Sequence, residues 1–257
     1  MGNMDRKKPT LLETEHIEYL NQTVHVIVSK KHTFGTDALL LADFANPRHK
    51  DYVCDFGTGC GIIPMLWFRD GKGAHIDGIE LQAAGYDQFC RTIESNNAEA
   101  LVFAHHLDLK QAADVLEKGK YDCITMNPPY TPVGRGIQSQ KPHEQAARHE
   151  IHCAFADIFS SARQLLRYGG RLSVCFRPER LAEAMQEMQA QKLEPKRLRF
   201  VAKNPACAPW LCLLEGRYGG KSGIEVLPNL FLYNEDGTYT EEMRRIYGAY
   251  KEKGATT

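Results

Sequence analysis

The chain has 257 residues, enough for one large domain with a sizeable core and no need of covalent staples. Its 32 lysines and arginines balance 32 aspartates and glutamates, which excludes a global cationic field as the means of holding nucleic acid and leaves only local clusters. The eight cysteines include no Cys-x-x-Cys pair, the opening MGNMDRKKPT has no apolar leader, and no run of about 18 apolar residues occurs, so a reduced, soluble, cytoplasmic protein is expected.

In chain order, "QTVHVIVS" alternates like a strand, and "TDALLLADFA" is expected to be a helix capped by Thr36 or Asp37. From residue 51 short apolar runs alternate with amphipathic ones, the pattern of a mostly parallel sheet covered by helices. "DYVCDF" reads as a buried strand, "IIPMLWF" as the opening of a helix, "HIDGIEL" as a strand ending at Glu80, and "YDQFCRTIESNN" as a helix. "ALVFAHHLD" is a strand ending near Asp108, followed by a short helix around 111–118 and the strand "YDCITMN". Residues 144–170 have the spacing of one long helix stopped by Gly169-Gly170. The strand "RLSVCF", the helix "PERLAEAMQEMQAQK", and strands near 195–202 and 210–216 follow. Beyond them come an extended segment, an Asp-Gly turn and a terminal helix. The fold expected is α/β and Rossmann-like, a doubly wound, mostly parallel sheet of seven strands. It forms a single domain with an N-terminal extension (1–50), a core (51–218) and a C-terminal extension (219–257).

Chemistry gathers at the strand ends. In "VCDFGTGCGIIP", Gly57, Gly59 and Gly61 stand between a buried strand and a helix, where glycine permits tight turning and close ligand approach. Position 62 is Ile, so the dinucleotide pattern G-x-G-x-x-G is broken, whereas acid-x-Gly-x-Gly-x-Gly, with Asp55 as the acid, is the loop by which many methyltransferases hold S-adenosylmethionine. Glu80, at the next strand end, is placed to accept from two ribose hydroxyls, and Asp108, at the one after, from an adenine amino group. The fourth strand ends on Asn127-Pro128-Pro129-Tyr130, a stiff turn because each proline fixes φ and restricts the residue before it. There the Asn127 side-chain oxygen and the Pro128 carbonyl can hold a planar NH₂ group, and Tyr130 can stack on it. The pattern leaves adenine, guanine and glutamine open as the target.

The motifs "FGTDALLLADF" (34–44), "DFGTGCGIIP", "MNPPYTPVGRG" with "AARHE" (146–150), and residues 219–248 together resemble a known family. It is the class I methyltransferases with an Asn-Pro-Pro-Tyr motif, most closely the bacterial tRNA1(Val) adenine-N6-methyltransferases. The resemblance implies methyl transfer from S-adenosylmethionine to N6 of adenosine 37 of a valine tRNA, with Asn127, Pro128, Pro129 and Tyr130 as the catalytic turn. It also implies cofactor contacts from Thr36, Asp37, Asp55, Gly57, Thr58, Gly59, Gly61, Glu80, Leu81, Asp108, Leu109 and Asn127. The chain departs from its relatives at Thr131-Pro132, which bears on the shape of the base pocket.

A tRNA partner requires clustered cations. Arg135, Lys141, His143, Arg148 and His149 follow the catalytic turn, and Lys196, Arg197, Arg199, Lys203, Arg217 and Lys221 form a second group that would have to face one side. His149, His152 and Cys153 share helical spacing, but no His-Glu-x-x-His occurs, so no metal is expected. No membrane partner is expected either, and a monomer is favoured over an oligomer. A glutamine methyltransferase would use the same turn but needs a helical docking domain ahead of the core, for which about 50 residues give little room.

Overall fold

The computed structural model describes residues 9–128 and 155–250. A hairpin of β1 (Glu15–Tyr19) and β2 (His25–Ser29) comes first, followed by α1 (Thr36–Ala45). Then come β3 (Tyr52–Phe56), α2 (Ile62–Arg69), β4 (His75–Glu80), α3 (Ala83–Ser95), β5 (Val102–His106), the short α4 (Ala112–Val115) and β6 (Tyr121–Met126). After the undescribed residues follow α5 (Phe155–Leu165), β7 (Leu166–Phe176), α6 (Leu181–Ala190), β8 (Leu193–Ala202) and β9 (Leu211–Tyr218). Two-residue strands β10 (Glu225–Val226) and β11 (Leu230–Phe231) and the helix α7 (Glu241–Tyr247) complete the fold.

The main sheet runs β5-β4-β3-β6-β7-β9-β8, with β10 and β11 both pairing with β8, so nine strands take the place of the seven expected. Seven are long, and the two additions come from the C-terminal segment lying along the edge strand. All pairings in this sheet are parallel except those of β9, which runs antiparallel to both β7 and β8.

Alternation along each strand builds a core on both faces. Val53, Ile76, Cys123, Cys175 and Leu213 point to the layer of α1, α2, α3 and α7, whereas Cys54, Ile79, Ile124, Val174 and Leu214 point to the layer of α4, α5 and α6. The N-terminal hairpin docks on α3 through polar groups that are themselves buried. Gln88 donates to the carbonyls of Ile27 (2.6 Å) and His32 (2.9 Å), and the Ile27 amide donates to Thr92 Oγ1 at 3.1 Å.

Two local expectations are corrected. The helix after the undescribed residues ends at Leu165, not at Gly169-Gly170. Leu166 already pairs with Tyr121 and Arg171 with Cys123, so the four residues between them on β7 oppose the single Asp122. The two glycines therefore serve a bulge, with Gly169 at φ +81°, rather than a helix stop. At α1 the N-cap is Gly35 with no side-chain cap; Thr36 Oγ1 instead meets the Tyr247 hydroxyl at 2.9 Å, and Asp37 accepts from the neighbouring Ala38 amide.

Candidate active site

Strand order reverses at β3: the chain passes from β3 to β4 on one side and places β6 on the other. Open sheets bind ligands in the crevice beyond the carboxyl ends of the strands at such a point. Phe56 is level with Met126, so the glycine loop after β3 and the Asn127-Pro128 turn after β6 emerge side by side.

Gly57, Gly59 and Gly61 all have positive φ, at +64°, +57° and +83°. They do different work. A Cβ on Gly61 would lie 2.0 Å from the Phe89 ring, so this glycine lets α3 pack against the loop. A Cβ on Gly59 would meet nothing within 4 Å, so this position is open to an approaching ligand. Thr58 lies between Gly57 and Gly59, buried, with its hydroxyl beside the Asp55 carboxyl.

Three acids were expected at strand ends, and each has a distinct environment. Glu80 is buried, and its carboxylate accepts from the Gly59 amide (2.8 Å) and the Gln82 amide (2.7 Å). The group thus ties the glycine loop to the end of β4 while keeping further lone pairs for a ligand. Asp55 is 2% exposed, and burial pushes its carboxyl up to about 7, against the opposing hydrogen bond from Thr125 Oγ1 at 2.6 Å. Asp108 lies beyond the end of β5 and accepts from the Lys110 amide at 2.9 Å, capping a 3-10 turn over Leu109–Gln111. Leu109 is buried beneath that turn, and Leu81 is half exposed beside Glu80.

Asn127 is partly exposed at the end of β6, and its Oδ1 accepts from the buried Cys175 thiol at 3.1 Å; Pro128 is buried. Thr36 and Asp37 begin α1, which lies over β6, β7 and β9 on the face of Cys175. Pro129, Tyr130, Arg135, Lys141, His143, Arg148 and His149 lie outside the described residues, as do His152 and Cys153.

The second basic group does not face one side. Arg197 donates to the Phe44 carbonyl at 2.6 Å, Arg199 forms a two-pronged pair with Glu242 at 2.7 and 2.8 Å, and Lys196 donates to the Lys221 and Gly223 carbonyls. Lys196 and Arg199 fasten the C-terminal segment to β8, and Arg197 ties β8 to α1. Lys203 follows the carboxyl end of β8, whereas Arg217 and Lys221 lie toward the opposite edge, at the end of the antiparallel β9.

Sequence reasoning missed Thr125, Cys175 and Gly78. A Cβ on Gly78 would lie 2.5 Å from Phe89 and 3.1 Å from Thr58 Cγ2, so it is the second glycine surface on which that ring rests. A glycine inside an apolar strand was the available signal. Nothing in the sequence marks Thr125 or Cys175.

The family model described as "Methyltransferase small domain" matches residues 21–196. The chain belongs to this methyltransferase family. A tRNA1(Val) (adenine(37)-N6)-methyltransferase of Proteus mirabilis is 28% identical over 82% of this chain and 83% of its own length. One of the same description from Christiangramia forsetii is 24% identical over 82% of this chain and 88% of its own. Among solved structures, a predicted O-methyltransferase from Agrobacterium tumefaciens superposes with a TM-score of 0.66 at 18% identity, over 83% of this chain and 96% of that one. That likeness establishes the class I methyltransferase fold, with β9 antiparallel beside β7 and β8. Among the described residues no helix is long and apolar enough to cross a membrane.

Proposed function

We propose that the protein transfers a methyl group from S-adenosylmethionine to N6 of an adenine in tRNA, the target being adenosine 37 of tRNA1(Val). The observation that carries this reading is the placing of Asn127 and Pro128 beside the glycine loop at the switch point of the sheet. The names of the relatives, which cover most of this chain, supply the RNA and the nucleotide.

The residues around the crevice fit this cofactor. Glu80 would accept from the ribose hydroxyls, Asp108 from the adenine amino group, and the open backbone at Gly59 would admit the amino-acid end, with the Thr58 hydroxyl and Asp55 at hand for its polar groups. Thr36, Asp37, Gly57, Gly61, Leu81 and Leu109 would shape the rest of the site. When bound, S-adenosylmethionine supplies an electrophilic methyl on a sulfonium.

The protein's task lies on the target side. The lone pair of an adenine amino group is delocalised into the ring, so N6 is a poor nucleophile. Acceptance of its two N–H bonds by Asn127 Oδ1 and the Pro128 carbonyl localises that pair and aims it at the methyl. As the N–C bond forms, positive charge grows on N6, and two fixed acceptor dipoles stabilise it. The methyl's bond to sulfur would break as the new bond forms, leaving a neutral thioether, and the surplus proton on N6 would then pass to water. A base reaches this position only when flipped out of its stack, and Tyr130 would give it a new face to rest on. Arg135, Lys141, Arg148 and His149 would neutralise nearby phosphates, and the protein would act as a cytoplasmic monomer without a metal.

The test is incubation with methyl-labelled S-adenosylmethionine and, in separate arms, tRNA or total protein from cells lacking the modification. N6-methyladenosine at position 37 is the expected product, lost in Asn127→Ala while cofactor affinity stays within a few fold. Label on protein glutamine alone would overturn the substrate.

A further inference from the structure

Asn127 can serve as an acceptor only if its amide is turned the right way. A terminal amide has a broad two-fold torsion, and a half-turn exchanges an oxygen acceptor for an NH₂ donor. Turned wrongly, it would set its own N–H groups against those of the target amine. Pro128 stiffens the turn, but proline geometry acts on backbone dihedrals and does not set the torsion of the Asn127 amide.

We propose that Cys175 is a positioning residue for the transfer, its thiol holding the Asn127 amide with the oxygen in the accepting orientation. Cys175 is fully buried on β7, beside the carboxyl end of β6, where Val174 pairs with Met126. Its Sγ lies 3.1 Å from Asn127 Oδ1, with the S–H donating. An amide oxygen carries two lone pairs, so one can take the S–H bond and one a target N–H. Because the thiol lies in the sheet and the amide at its rim, the bond anchors the inner side of a partly exposed side chain. This role rests on the reading of Asn127 as the acceptor of the target amine.

Three variants and one spectrum test it. Cys175→Val keeps an apolar side chain, one methyl larger, but removes the donor, whereas Cys175→Ser keeps a donor at the cost of burying a hydroxyl. A positioning role predicts that kcat falls about three- to tenfold in Cys175→Val and is largely retained in Cys175→Ser, the range expected for one modest hydrogen bond. S-adenosylmethionine affinity should not change in either. Thermal stability should rank the other way, with Val above Ser. If kcat follows stability instead, Cys175 only fills space and the proposal fails. The S–H stretching band of Cys175, isolated by Raman difference against Cys175→Val, needs no substrate; it should move to higher frequency in Asn127→Ala, and an unmoved band would overturn the contact. Absence of methyl transfer to tRNA by the wild-type protein would strike the proposed substrate instead, and the band would still judge the contact, which stands if it shifts and falls if it does not.

Discussion

Thr125 donates its hydroxyl to Asp55 across adjacent strands at 2.6 Å, joining the strand that leads into the glycine loop to the strand that ends on Asn127. Both groups are buried. The bond spans the switch point, so whatever protonation Asp55 carries is felt on both sides of the site.

The carboxyl of Asp55 has a folded value of about 7 against an ordinary value of 3.8, raised by burial. Between these limits the folded state holds a proton that the unfolded state has lost. Its contribution is therefore greatest at low pH and is lost as pH rises through 7, at up to about 1.4 kcal/mol per pH unit. The stability of wild type relative to Asp55→Asn should accordingly fall between pH 4 and 7, as measured by urea unfolding across that range. If the ionised carboxylate faces the ammonium of S-adenosylmethionine, wild-type affinity should also improve as pH rises through 7. Calorimetry showing the same pH profile in Asp55→Asn would refute that second role.

Glu80 holds two backbone amides with its two oxygens, so its replacement acts on the protein before it acts on the ligand. In Glu80→Gln one amide faces an NH₂ donor instead of an acceptor. The expected cost is about 1–3 kcal/mol of stability, together with cofactor binding weakened at least tenfold. Thermal melting and isothermal titration would read the two effects separately. Binding at wild-type strength would remove Glu80 from the cofactor site.

The glycines of the loop should separate folding from binding. Gly61→Ala drives a methyl into the Phe89 ring at a φ of +83°, and an unfolding cost of about 3 kcal/mol is expected. Gly59→Ala meets open space and bears only the strain of φ +57°, about 1–2 kcal/mol, yet its methyl projects toward the proposed cofactor. Cofactor affinity should thus suffer more in Gly59→Ala and melting temperature more in Gly61→Ala. The reverse order would mean that the ligand lies elsewhere.

The cations after the Asn127-Pro128 turn and those of β8 should differ in kind. Arg199→Ala breaks the paired contact with Glu242 on α7 and should lower stability without changing the salt dependence of tRNA binding. Lys141→Ala and Arg148→Ala should weaken tRNA binding across sequences and flatten that dependence by about one ion each. Filter binding at several salt concentrations distinguishes them, and an unchanged slope in both would take these residues off the phosphates.

Legibility in the sequence followed the range of the interaction involved. The strand ends at Glu80 and Met126 and the glycine loop were visible because apolar runs and their punctuation are local, and the Asn127 turn announced itself by two prolines. The end of α5 was misread, since whether Gly169-Gly170 stops a helix or forms a bulge depends on Leu166 finding Tyr121, 45 positions away in the chain. Whether the second basic group shares one face was left open by the sequence for a related reason. Alternation along β8 does not reveal that Arg197 and Arg199 meet the Phe44 carbonyl and Glu242.

By itself, then, the sequence determined the order and type of the main elements and the standing of three acids and the Asn127-Pro128 turn at strand ends, because these follow from periodicity and from glycine and proline stereochemistry. Only the tertiary structure decided which glycine opens to a ligand and which to Phe89, that Asp55 is buried against Thr125, and that a thiol on β7 meets the Asn127 amide. Each of those facts depends on side chains from separate strands or helices converging in a packed interior, where contact and desolvation, and not the neighbours in the chain, set what a group can do.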